Sequence, residues 1–191
     1  MSQLVKEVQA AEEEIILGNV ILYPTDTVWG IGCDAENPEA VRKIFKMKER
    51  EESKAMILLV ADQNMLQRYI KSLPDDFEEM VKQQERPTTY VFSNPQNLPK
   101  EVLAEDGTVA IRVVQNDEFC RRLIRQVARP IVSTSANISG EPSPKTFADV
   151  SDIIKERVDF VVNWRQDDDM ASQPSRVIKI EADGSQSIIR D

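Results

Sequence analysis

Apolar runs of three to five residues alternate along this chain with longer stretches whose apolar residues recur every three or four positions. No other feature constrains the fold as much. A fully buried strand reads as an unbroken apolar run, whereas a helix lying on a sheet needs one apolar stripe. Leu4, Val8, Ala11 and Ile15 form a first helix stopped at Gly18-Asn19. A strand over residues 20–23 follows, closed by Pro24. Asn37-Pro38 opens a second helix, with a capping amide and a proline in its first turn; Ala40, Val41, Ile44 and Phe45 are its buried face. The pattern predicts strands over residues 56–60, 88–92, 109–114, 130–132 and 160–162. Helices capped by Asp62, by Asn116 or Asp117, and by Thr146 lie between them, with another beginning at Pro74. Residues 177–180 and 187–189, joined through Asp183-Gly184, read as a terminal hairpin. One α/β domain over residues 1–191 is expected, a mixed sheet with helices packed on it.

The chain has no histidine. Ser-His-Asp and Cys-His triads, histidine bases and histidine metal sites are therefore excluded together. Cys33 and Cys120 give no disulfide framework and no zinc site. Chemistry must rest on Lys, Arg, carboxylates and hydroxyls. The net charge of -9 opposes nonspecific nucleic-acid binding over the whole surface, although a local basic cleft stays compatible with it. Glu12, Glu13 and Glu14 break any signal-peptide pattern, and no apolar run has the length of a membrane span. A cytoplasmic protein with no membrane partner is expected.

Four segments place polar or charged residues at the end of an apolar element. Residues 133–140, Ser-Thr-Ser-Ala-Asn-Ile-Ser-Gly, follow the apolar run at 130–132. A strand-like start places Ser133, Ser135 and Asn137 on one face, where they can both donate and accept hydrogen bonds. On these residues alone, a turn held by local bonds and a ligand loop both stay open. Residues 23–32 carry two threonines, an acid and two glycines but neither a Walker A nor a dinucleotide spacing, and read as a structural turn. Lys48, Arg50 and Lys54 form a cationic run at a helix end, and Arg112 ends an otherwise apolar strand.

In order, the motifs Tyr-Pro-Thr-Asp-Thr-Val-Trp-Gly, Lys-x-Arg, Pro-x-Thr, Val-Ala-Ile-Arg and Ser-x-Asn-x-Ser-Gly-x-Pro-Ser span most of the chain. With them the chain resembles the YrdC/YwlC family of threonylcarbamoyl-AMP synthases, in its short single-domain form. The resemblance implies a twisted open α/β sheet with a positively charged concave surface. It implies a nucleotidyltransferase that condenses L-threonine, bicarbonate and ATP to threonylcarbamoyl-AMP and pyrophosphate. Other proteins then transfer the threonylcarbamoyl group to tRNA. Lys48 and Arg50 are the implied catalytic contacts to the triphosphate, with Lys54, Ser135, Asn137 and Ser143 completing the ATP site. Thr25, Thr27, Thr89, Arg112, Ser133 and Ser175 are the implied threonine contacts, with Trp29 or Tyr23 as a wall. Mg2+ would arrive with ATP, without a metal site of the protein's own. The alternatives are a tRNA- or double-stranded-RNA-binding protein of the same fold, or a diverged member with another substrate. Three positions depart from the family pattern: Glu85-Arg86 before Pro87, Glu51 after Lys-x-Arg, and Arg176 after Ser175. Arg86 would either contact phosphate or pair with Glu85.

Overall fold

A computed structural model describes residues 1–49, 56–168, 173–181 and 183–191. Helix α1 (Gln3–Ile16) buries Leu4, Val8, Ala11 and Ile15, and Ser2 caps it by accepting from the Val5 N–H. Strand β1 (Ile21–Tyr23) returns through β2 (Gly30–Gly32), and α2 (Pro38–Lys48) follows its Asn37 cap. Then come β3 (Ile57–Val60), the short α3 (Gln63–Leu66), α4 (Phe77–Lys82), β4 (Thr88–Phe92) and a 3-10 turn at Lys100–Val102. The chain continues with β5 (Val109–Val113), α5 (Glu118–Val127), β6 (Ile131–Ser135), α6 (Asp152–Arg157), β7 (Phe160–Val161), β8 (Arg176–Ile180) and β9 (Gln186–Arg190).

Among the described residues nine strands form one open sheet in the order β7-β1-β2-β6-β3-β5-β4-β8-β9. Three pairs are parallel (β1 with β7, β3 with β5, β4 with β8) and the other five antiparallel. The expected mixed sheet is therefore observed. Each parallel pair is separated in the chain by a long connection, as parallel pairing requires.

Side chains of paired residues share a face of the sheet. On one face the register aligns Val132, Leu58, Ile111, Tyr90 and Ile178, all buried. Phe77 of α4 meets that layer, its ring 4.9 Å from Tyr90. On the other face the same register aligns Gly30, Ser135, Ser133, Ile57, Ala110, Thr89 and Val177. That second face carries the cavity described below.

Three local expectations change. Residues 30–32, read as part of a turn, form β2. Glycine is required at Gly32 because a Cβ there would lie 2.4 Å from the Val132 carbonyl oxygen and 2.6 Å from Tyr23 Cε1. Thr146 does not cap a helix: the Asp149 carboxylate takes its N–H and hydroxyl in a turn, and α6 begins later with Ser151 as cap. The helix expected from Pro74 begins at Phe77, with Pro74 accepting the Phe77 N–H in the preceding turn.

Gly32→Ala should destabilise the fold by about 1–3 kcal/mol, the cost of overpacking a filled interior. Gly30→Ala, whose Cβ would meet nothing closer than 3.4 Å, should leave stability nearly unchanged. Urea unfolding of the two variants tests this difference.

Candidate active site

A cavity of about 290 Å³ opens on the polar face of the sheet. Thr27, Thr89, Arg112, Ser133, Ser135, Ser143 and Ser175, seven of the residues expected in the site, stand on its wall. They come from six separate segments, and strand register explains why those on strands meet. Ser133 and Ser135 alternate along β6, with Gly30 opposite Ser135. Arg112 lies two residues beyond Ala110 on β5, and Thr89 of β4 stands opposite Val177 of β8. The absent side chain at Gly30 leaves room in front of Ser133, whose Oγ would be 3.4 Å from a Cβ placed there.

Arg112 is the most buried charge on that wall, 3% exposed. Its Nη2 donates to Asp26 Oδ1 at 2.8 Å and its Nη1 to Thr27 Oγ1 at 3.4 Å. Such a charge needs a carboxylate beside it, because an unpaired buried ion is severely destabilising. Burial pushes the Asp26 carboxyl above its usual range, opposed by Arg112 and reinforced by the Asp117 carboxylate. On the far side of the cavity, Thr89 and Ser175 hydroxyls bond each other at 2.8 Å.

Arg190 also lines the cavity, and the sequence reading did not reach it. It stands opposite Val177, and so on the cavity face. Its guanidinium donates to the Ser175 carbonyl at 2.8 Å and to Ser175 Oγ at 3.3 Å. Burial first, then the Arg86 and Arg112 cations, lower its affinity for its own proton. Like charges gathered this way mark a place where an anion would be favoured. The available signal was the ending Ile-Ile-Arg, which repeats the pattern of Ala-Ile-Arg at Arg112.

Other expected residues lie off the wall. The Lys48 ammonium is buried and donates to the main-chain carbonyls of Ser135 and of Asn137, the latter at 2.5 Å. Lys48 therefore holds the 135–139 loop from behind, and Ser139 N–H returns a bond to the Lys48 carbonyl at 2.8 Å. The Asn137 amide donates to the Ile138 and Glu141 carbonyls and closes that loop. Thr25 donates to the Val28 carbonyl at 2.7 Å and shapes the loop bearing Thr27. Neither candidate wall residue lines the cavity: the Trp29 ring packs tilted against Phe147 at 4.7 Å, and the Tyr23 hydroxyl donates to the Val132 carbonyl. Arg50, Lys54 and the departure at Glu51 lie outside the described residues. Arg86 pairs with Asp191 at 3.6 Å, not with Glu85, and donates to the Pro174 carbonyl. Arg176 also turns to Asp191, at 2.7 Å, which leaves Ser175 to the cavity. Of the segment at 165–173, Arg165 is tied to Asp117 and Asp168, and residues 169–172 lie outside the described residues.

If Lys48 anchors this loop, Lys48→Met should raise amide hydrogen exchange across residues 136–141 by about tenfold, the loss of about one charged hydrogen bond. Exchange in β3 and β5 should stay unchanged, and mass spectrometry of peptides from both regions checks the pair.

The Sua5/YciO/YrdC family model, described as telomere recombination, matches residues 13–191. A threonylcarbamoyl-AMP synthase of Acinetobacter baumannii is 32% identical over 178 residues, covering 90% of this chain and 92% of that protein. One of Pseudomonas fluorescens is 34% identical over 156 residues, covering 81% and 83%. P. abyssi Sua5 complexed with L-threonine superposes with a TM-score of 0.84 at 28% identity, over 98% of this chain and 54% of that one. This chain thus spans little more than half of Sua5. E. coli YciO shares the fold, with a TM-score of 0.83 at 22% identity over 100% of this chain and 91% of that one. With the family model matched along residues 13–191 and relatives at 32% and 34% identity over most of its length, this chain belongs to the Sua5/YciO/YrdC family.

Proposed function

We propose that this protein is a threonylcarbamoyl-AMP synthase, joining L-threonine, bicarbonate and ATP into threonylcarbamoyl-AMP with release of pyrophosphate. One observation carries the reading: a single cavity presents two guanidinium groups, Arg112 buried and Arg190 exposed at its rim, with the Thr89 and Ser175 hydroxyls between their strands. Relatives bearing the synthase name and a Sua5 structure holding L-threonine lend support.

The chemistry suits a site without histidine. The threonine ammonium group and bicarbonate form a carbamate, with loss of water and a proton. A carbamate oxygen attacks the α-phosphorus of ATP, and pyrophosphate leaves. Negative charge gathers throughout, so the protein's contribution is positioning and charge stabilisation. In this reading Arg112 takes the threonine carboxylate, since a guanidinium offers a planar fork to a carboxylate. Thr27, Thr89, Ser133 and Ser175 orient the amino acid. Arg190, Ser135 and Ser143 serve the nucleotide, and Lys48 and Asn137 hold the loop that presents Ser135. Arg50 and Lys54 are assigned to the triphosphate on the family motif alone. Mg2+ belongs to the substrate, as the partner of ATP. The product is a mixed anhydride, which a threonylcarbamoyl-transfer protein acting on tRNA would consume. A cytoplasmic location fits that role, and among the described residues no helix is long and apolar enough to cross a membrane.

Pyrophosphate release from ATP should require both L-threonine and bicarbonate. Arg190→Ala should slow it by about ten- to a hundredfold, the worth of one charge-assisted bond. Release indifferent to threonine would remove the assignment.

A further inference from the structure

The loop between β1 and β2 contains a hydrogen-bond sequence whose direction can be derived. The Thr25 hydroxyl has one proton, and it is given to the Val28 carbonyl at 2.7 Å. Thr25 Oγ1 also accepts the Thr27 N–H at 3.1 Å and lies 3.0 Å from Thr27 Oγ1. Thr27 must therefore be the donor in that hydroxyl pair. Its remaining lone pairs are left for Arg112 Nη1, 3.4 Å away. Asp26, next in the same loop, accepts from Nη2 at 2.8 Å. Both terminal nitrogens of the guanidinium are thus held by one loop. Its Nε is buried and, among the described residues, has no hydrogen-bond partner. Arg112 and Thr27 stand on the cavity wall, whereas the wall does not include Asp26.

We propose that Asp26 is a positioning residue that, with Thr27, fixes the Arg112 guanidinium by its outer nitrogens and so aims it from the cavity wall at the carboxylate of the amino-acid substrate. This rests on the synthase reading above and adds to it how the carboxylate is read. Asp26 acts through Arg112 and does not itself contact substrate. The opposite role is physically distinct: a carboxylate standing in the substrate's own place would compete with it. The two roles give opposite signs when the charge of Asp26 is removed.

The loop carboxylate has few charged neighbours, and each is identifiable. Arg112 reaches it from β5, Asp117 and the Cys120 thiol from α5, and Arg165 from the segment after β7. Arg165 is itself paired with Asp117 at 2.9 Å. Burial favours the neutral form of Asp26 and so brings its protonation closer to working pH. Protonation would remove the anion that aims Arg112, so threonine affinity should fall as pH is lowered through the carboxylate range.

The test compares calorimetric binding of L-threonine with that of L-threoninol, which lacks the carboxylate, in wild type, Asp26→Asn, Asp26→Glu and Arg112→Gln. Asp26→Asn keeps the shape and should weaken L-threonine binding by about tenfold, because an ion pair becomes a weaker hydrogen bond from the same cation to a neutral amide oxygen. Threoninol affinity and the KM for ATP should not move. Asp26→Glu should restore part of the loss, and Asp26→Asn should cost nothing further in an Arg112→Gln background. The acid-side fall in threonine affinity should be absent in Asp26→Asn. Equal or tighter threonine binding by a folded Asp26→Asn overturns the positioning role, and tighter binding identifies Asp26 as a competitor. A wild-type protein that does not prefer threonine to threoninol would overturn the synthase reading, and this proposal with it.

Discussion

The register of the central strands is the constraint on which the rest of the site depends. Pairing Ile57 with Ser133 and with Ala110 fixes which alternate residues of β3, β5 and β6 face the cavity. A slip by one residue would bury Arg112 and Ser133 in the apolar layer and expose Ile111 and Val132. The buried layer on the opposite face resists that slip, because Val132, Leu58, Ile111 and Tyr90 would all leave it together. The hydrophobic core thus determines the chemistry of the cavity by deciding which side chains it does not take.

Charge is distributed across the cavity in the way the proposed reaction needs. Two arginines supply fixed positive charge that no accessible pH removes. Hydroxyls from two strands and three loop segments supply direction without adding charge. Only Arg112 is matched closely by a buried carboxylate, and Asp26 lies off the wall. Arg190 is matched by main-chain and hydroxyl oxygens of Ser175, leaving its net charge for an incoming anion. A lysine would fit neither position as well, since both use several nitrogens of one planar group.

Local rules made most of the fold legible. The caps at Asn37, Asp62 and Asp117 and the buried stripe of α1 follow from side-chain chemistry that needs no tertiary partner. β2 was illegible because Gly30-Ile31-Gly32 has almost no strand propensity, and its identity depends on β1 and β6 on either side. The site was legible as motifs, but their roles divided only in three dimensions. Lys48 reads as a phosphate contact in sequence, yet its ammonium lies under the loop that carries Ser135. Trp29 reads as a pocket wall, yet its ring packs against Phe147, off the cavity lining. Arg190 was hidden because its place follows from its pairing with Val177, a contact set by the turn of a hairpin.

The central claim is that one face of this sheet binds an amino acid and a nucleotide side by side, with Arg112 and Arg190 at the two anionic ends. A crystal structure with L-threonine and a non-hydrolysable ATP analogue measures this directly. The account predicts the threonine carboxylate on the Arg112 guanidinium, and a phosphate oxygen within hydrogen-bond distance of Arg190. A threonine carboxylate held elsewhere, with Arg112 still bonded only to Asp26 and Thr27, would contradict it.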